Sequence, residues 1–237
     1  VLVVLVNAAL FETGAWWCGR RPRPVAVWVL AAGSLAFSLG YGQWRILQIT
    51  RQLEGAPVLR IGLVQANLGL VEKRSRVLTG HRQHLEQTRE LLAAGPLDLV
   101  VWPETAYARA LRGPLPVSGQ LVRQDIDVPL LFGGTLLADE GAGLVQANSA
   151  FLVAADGLIH DVYRKNLLIP LAEWVPLARF VPGLAERLPH AQGFAAAKSV
   201  PPLGLGPWRI ATPICYEAIR PDLVRRMVSE GQPHLLV

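Results

Sequence analysis

Residues 1–11 and 24–44 carry no charged side chain. The second stretch is long enough to cross hydrocarbon, since a spanning helix needs about 20 apolar residues rising about 1.5 Å each. Trp28, Tyr41 and Trp44 lie near its ends, where amphipathic rings favour the membrane interface. A cleavable signal would have a shorter apolar region. The pattern predicts a transmembrane helix over 25–44, with 1–18 the tail of an earlier span, 19–24 a short basic loop and 45–59 a linker.

From residue 60 onward short apolar runs alternate with turns and helices, which predicts a domain over 60–237. Brief Val-, Ile- and Leu-rich runs bounded by Gly, Pro or Asp predict strands at 58–65, 97–102, 130–136, 150–154 and 208–214. Residues 139–143 and 155–157 have hairpin-turn composition. Val77, Leu85, Leu91 and Leu92 among charges predict an amphipathic helix over 73–94, closed by Gly95-Pro96. A second helix is expected after Cys215, with Ile219, Leu223, Val224 and Met227 at helical spacing. Strands, helices and hairpins in this alternation imply an α/β sandwich of mixed sheets.

The formal charge of +5 belongs to the membrane flanks. Residues 1–60 carry six Arg against Glu12 and Glu54, a balance of +4, whereas residues 61–237 carry 17 Lys and Arg against 16 Asp and Glu, a balance of +1. A nucleic-acid reader would concentrate its excess on the folded domain, so nucleic acid is not an expected partner. Arg20, Arg21 and Arg23 crowd into the loop between the apolar stretches, while Arg45 and Arg51 are thinly spread beyond the second. By the bias of positive charge toward the cytoplasmic side, the domain is expected on the opposite face, the periplasm of a bacterium. Cys18 and Cys215 are the two cysteines, too differently set to imply a disulfide framework. His81 and His84 lack a neighbouring Cys or carboxylate and read as a solvated helix face, so no metal or other cofactor is expected.

Three polar residues stand where apolar runs stop: Glu104 in Val-Val-Trp-Pro-Glu-Thr, Lys165 in Val-Tyr-Arg-Lys-Asn and Cys215 in Pro-Ile-Cys-Tyr-Glu. Singly, each has an ordinary explanation as a helix-end carboxylate, a surface cation or a buried small side chain. Together they form a set for acyl transfer. A thiol becomes a strong nucleophile once a nearby base takes its proton, which Glu104 can do. Attack on a carbonyl develops an oxyanion that the Lys165 cation suits. At a strand-to-helix junction, Cys215 would also meet helix N-terminal amides.

With these residues in this order the sequence resembles the nitrilase, or carbon-nitrogen hydrolase, superfamily, and more narrowly its apolipoprotein N-acyltransferase family. The matching pieces are Gly-Leu-Val-Gln-Ala-Asn at 62–67, Val-Trp-Pro-Glu-Thr-Ala at 101–106, Asn148-Ser149, Tyr163-Arg-Lys-Asn-Leu-Leu-Ile-Pro170 with Glu173-Trp-Val-Pro176, and Ile214-Cys-Tyr-Glu217. The resemblance implies an α-β-β-α sandwich preceded by transmembrane α-helices in a multi-pass protein of the bacterial inner membrane. It implies Glu104 as general base, Lys165 as oxyanion stabiliser and Cys215 as nucleophile. Glu173 would be a further pocket carboxylate orienting Lys165 or the attacking amine, Glu217 would help hold the site, Tyr216 would pack beside the thiolate, and Asn148 would be a structural hydrogen-bonder. The implied partners are a membrane phospholipid as acyl donor, a diacylated apolipoprotein as acceptor, and the bilayer. Apolar Leu177, Phe180, Val181 and Leu184 read either as a lipid-facing arm or as packing over the core.

Two positions depart from the family pattern. Lys73 is followed by Arg74 where a Trp is usual, and Ala172 precedes Glu173 where a Gly would permit positive φ. The chain opens on Val and closes on His234-Leu-Leu-Val237, so it is expected to be a fragment whose sandwich is incomplete at its C-terminus, inactive alone and prone to aggregate. Two other functions remain open: a membrane-anchored carbon-nitrogen hydrolase that lets water resolve the thioester, and a tethered, non-catalytic binding domain.

Overall fold

A computed structural model of the chain describes residues 2–67, 77–139, 141, 143–176, 180, 183, 187 and 193–237. The positions of Lys73 and Arg74, and of Leu177, Val181 and Leu184 in the expected arm, lie outside the described residues; Phe180 is described and exposed. The chain divides into two compact units, residues 1–58 and 59–237.

The first unit is a helical hairpin of α1 (Leu2–Trp17) and α2 (Val25–Leu53). Trp28 Nε1 donates to Thr13 Oγ1 at 2.8 Å, Arg21 pairs with Glu12, and the Arg23 guanidinium lies over the Trp16 ring. α2 is long and apolar enough to cross a membrane. At 16 residues, α1 is shorter. α2 also continues nine residues past Trp44, into the segment read from sequence as a linker. Arg45, Gln48 and Arg51 in that extension are polar, which a hydropathy pattern marks as the end of a span although the helical hydrogen bonds continue.

In the second unit the strands are β1 (Ile61–Leu63), β2 (Leu99–Val101), β3 (Tyr107–Arg112), β4 (Val117–Ser118), β5 (Leu130–Asp139), β6 (Leu144–Val153), β7 (Leu158–Arg164), β8 (Leu203–Leu205), β9 (Trp208–Ala211) and β10 (Leu235–Leu236). The helices are α3 (Val77–Ala94), α4 (Gln120–Arg123), a 3-10 turn at Cys215–Ile219 and α5 (Pro221–Gly231). Among the described residues β1 to β7 form one mixed sheet in the order β1-β2-β5-β6-β7-β4, with β3 also on β5. β8, β9 and β10 form a second, with β10 parallel to β9. Both expected hairpins are present: β5 pairs antiparallel with β6, and β6 with β7 through a turn in which Gly157 has φ 82°.

The large sheet is buried on both faces, which explains its nearly continuous apolar strands. Phe132, Phe151 and Val153 pack with Trp102, Leu85 and Ile126 on one side. Leu131, Leu152 and Tyr163 pack with Leu203, Ile210 and Met227 on the other. His81 and His84 belong to this packing, contrary to the expected solvated face. His84 is buried and its ring lies 5.3 Å from that of Trp102, while the His81 ring meets Trp102 and Tyr107 edge-on.

One edge of β5 serves two strands. Val100 and Val101 of β2 pair with Leu130 and Leu131, and Tyr107 of β3 pairs with Gly134. The chain between them must step out of the sheet over Gly133, and this step carries Glu104. A Cβ on Gly133 would sit 2.7 Å from Glu104 Cα and 2.8 Å from Thr105 N, so only glycine admits the crossing backbone. Gly133→Ala is expected to force this step away from β5 and destabilise the domain by about 1–3 kcal/mol, read as a lowered thermal midpoint of the full chain in detergent. An unchanged midpoint would contradict the close approach.

Candidate active site

The step over Gly133 gives one wall of a cleft of about 220 Å³. Trp102, Glu104, Phe132, Ser149, Thr212 and Cys215 are among its lining residues. Trp102 is fixed below by its indole N–H, which donates to Thr88 Oγ1 at 2.9 Å. The Glu104 side chain is 37% exposed, open enough to meet a substrate. Facing it, Cys215 is an exposed free thiol with φ 54°. A non-glycine residue in the left-handed region is held there against its own preference.

Lys165 follows β7 and its side chain is 1% exposed. Its Nζ lies 2.8 Å from Glu173 Oε1 and 3.7 Å from Glu104 Oε1. Glu173 accepts further hydrogen bonds from the Ile169 N–H at 2.9 Å and from Asn148 Nδ2 at 3.0 Å. Burial alone would raise the Glu173 carboxyl, but the bonds from Lys165, Ile169 and Asn148 outweigh it and hold the group below its ordinary value. Asn148 Nδ2 also donates to Glu104 Oε1 at 2.8 Å, so this side chain belongs to the site itself. The strained residue beside Glu173 is Leu171, at φ 66°, and not Ala172. The methyl of Ala172 therefore meets no backbone penalty, and the turn's cost falls on an exposed leucine.

Glu217 is fully buried and accepts four hydrogen bonds. Its Oε2 receives the Tyr163 hydroxyl at 2.9 Å and the Ile214 N–H at 2.9 Å; its Oε1 receives the Asn166 and Leu167 N–H groups at 2.6 and 3.0 Å. One carboxylate thus caps the turn that begins at Cys215 and clamps the loop that follows Lys165. Burial first, and the Glu217 charge next, push the Tyr163 hydroxyl far above its ordinary value, keeping it a donor.

Residues 60–237 match the carbon-nitrogen hydrolase family. The chain belongs to that family. The carbon-nitrogen hydrolase domain and the helices before it are also similar to curated proteins. The apolipoprotein N-acyltransferase of Geobacter metallireducens is 27% identical over 244 residues, covering 97% of this chain and 44% of that protein. The apolipoprotein N-acyltransferase of Caulobacter vibrioides is 31% identical over 224 residues, covering 89% of this chain and 41% of that protein. The chain spans less than half the length of these relatives. In fold, the crystal structure of Saccharomyces cerevisiae Nit3, a member of the nitrilase superfamily, superposes with a TM-score of 0.53 at 14% identity, covering 73% of this chain and 61% of that one.

Two further sequence expectations for this carbon-nitrogen hydrolase domain concern the residues around Cys215. Tyr216, expected beside the thiolate, is 44% exposed and lies toward Arg220. The helix expected after Cys215 is α5, which starts at Pro221, a residue suited to a first helical position, behind a five-residue 3-10 turn at Cys215–Ile219. Ile219 consequently lies outside the buried face of α5 and is 70% exposed, while Leu223 and Met227 are buried. Among the described residues no group of three or more His, Cys, Asp or Glu side chains could hold a metal ion.

The depressed Glu173 carboxyl fixes the sign of a pH effect. Its contribution to stability is complete above an ordinary carboxyl value of about 4.3 and is lost as pH falls through the lower folded value. Glu173→Gln is expected to lower the thermal midpoint at neutral pH, with the parent and variant curves converging toward the acid end. A constant offset at every pH would contradict the assignment.

Proposed function

We propose that this chain carries the catalytic machinery of an apolipoprotein N-acyltransferase, which moves an acyl chain from a membrane phospholipid to the α-amine of a lipidated N-terminal cysteine. The observation that carries the proposal is the shared cleft of Glu104 and Cys215 with Lys165 behind it, on a chain whose apolar helices are included in its similarity to relatives of that name. Glu104 takes the Cys215 proton as Sγ attacks the donor ester carbonyl, and Lys165 meets the negative charge that develops on the carbonyl oxygen. Collapse of that intermediate breaks the ester C–O bond, the lysophospholipid alkoxide leaves with the proton from Glu104, and the acyl chain remains as a Cys215 thioester. The acceptor amine then attacks the thioester, gives a proton to Glu104, and releases the thiol as the amide forms.

Both substrates are anchored by acyl chains, and drawing one into water would cost about 0.8 kcal/mol per methylene, so the reaction belongs at a bilayer surface. On this reading the protein is a multi-pass protein of the bacterial inner membrane, with Arg20, Arg21 and Arg23 cytoplasmic and the domain periplasmic. Intact mass spectrometry of the full membrane protein with phospholipid tests the reading. An acyl-sized adduct is expected on the parent, absent from Cys215→Ala, released by hydroxylamine and passed to a lipopeptide amine. Turnover of small amides by a folded protein that forms no phospholipid adduct would contradict it and support hydrolysis.

A further inference from the structure

Asn148 is 3% exposed and belongs to β6, where its carbonyl accepts the Lys165 N–H at 2.9 Å. Its Nδ2 lies 2.8 Å from Glu104 Oε1 and 3.0 Å from Glu173 Oε1, and Lys165 Nζ approaches the same two oxygens at 3.7 and 2.8 Å. Two nitrogens and two oxygens therefore alternate around a closed ring. Outside the ring, Asn148 Oδ1 is buried with no partner among the described residues. The amide's orientation follows from its neighbours: turned over, it would set a carbonyl oxygen against two carboxylate oxygens and bury a bare NH2. A buried acceptor without a donor is a standing penalty, so the side chain contributes through its NH2 alone.

Lys165 cannot serve both carboxylates equally. At 2.8 Å it is hydrogen-bonded to Glu173, whereas 3.7 Å to Glu104 is beyond hydrogen-bond length. The titratable groups that face Glu104 are Lys165 beyond β7, Glu173 on the turn at residues 171–174 and Cys215 across the cleft. We propose that Asn148 is a positioning residue for Glu104: its NH2 stands between the two carboxylates and holds Glu104 Oε1 by a hydrogen bond, leaving the carboxylate turned to the cleft to take the proton of Cys215. This rests on the base role proposed above for Glu104.

The test is the rate at which iodoacetamide alkylates Cys215 from acid to mildly alkaline pH, in the full chain with Cys18→Ala so that one thiol reports. The parent rate is expected to fall in acid with an inflection that Glu104→Gln abolishes. Asn148→Ala should move that inflection up by about one to two pH units, as expected for the loss of a hydrogen bond to a charged group. Asn148→Asp, an isostere that keeps the packing but replaces the donor with a third carboxylate, should move it at least as far, and decides the matter if the alanine variant does not fold. An inflection that Glu104→Gln removes but that stays in place in the folded Asn148 variants would overturn the positioning role while leaving Glu104 as base. An inflection that survives Glu104→Gln would overturn the base assignment and the positioning role together.

Discussion

The site depends on one buried carboxylate. Glu217 has no exposed surface, and four donors converge on it from β7, from the loop after Lys165 and from the residue before Cys215. Taking a carboxylate out of water costs several kcal/mol, and it is tolerated where its lone pairs are all met. Each hydrogen bond to a charged group returns about 1.5–3 kcal/mol, so four bonds offset the penalty and none is dispensable. Because the same two oxygens hold both loops, the placement of Lys165 and the strained conformation of Cys215 are one structural fact. The φ of 54° at Cys215 is affordable in that setting, since the Ile214 N–H is pinned on one side and Glu217 itself on the other.

A second layer of charge is built on that frame. One buried cation stands among two carboxylates, with Glu173 bonded directly and Glu104 at arm's length. Removing Glu173 would leave Lys165 buried without its hydrogen-bonded counter-charge, facing Glu104 alone at 3.7 Å. Glu104 is the freer of the two because it rides on a backbone step between β2 and β3 and is open to the cleft. That step exists because β5 shares one edge between two strands and offers Gly133 at the crossing.

Much of this was legible in the sequence, and what was not has physical reasons. The apolar run of β5, the last residues of β6 and the turns that join β5, β6 and β7 are local features legible in one dimension, whereas the first half of β6 and β7 carry polar residues such as Gln146, Asn148, His160 and Asp161 that interrupt an apolar run. β3 was missed because Ala108, Arg109 and Ala110 are exposed and Arg112 carries charge at an edge, with no alternation to mark it. β8 and β10, of three and two residues, are set by pairing with β9 and have no pattern of their own. The histidines of α3 look polar in one dimension but lie against Trp102, which only the packing shows. Glu104, Lys165 and Cys215 could be picked out because their residue types imply a chemistry. Asn148 was legible only as a structural hydrogen-bonder, since an asparagine implies no chemistry of its own and its partners in the site lie 44 and 25 residues away. The Gly133-Gly134 pair inside an apolar run was the available signal for a close backbone approach.

Hydrogen–deuterium exchange of the full chain with Glu217→Gln tests the common anchor most directly. The glutamine NH2 would confront backbone N–H groups that need an acceptor, and both loops should loosen. Peptides containing Asn166 and Leu167, and the peptide containing Ile214, are expected to lose protection together while the β5–β6 hairpin keeps its own. Loss confined to one of the two loops, or parent-like protection in both, would contradict the dependence of the two loops on a single carboxylate.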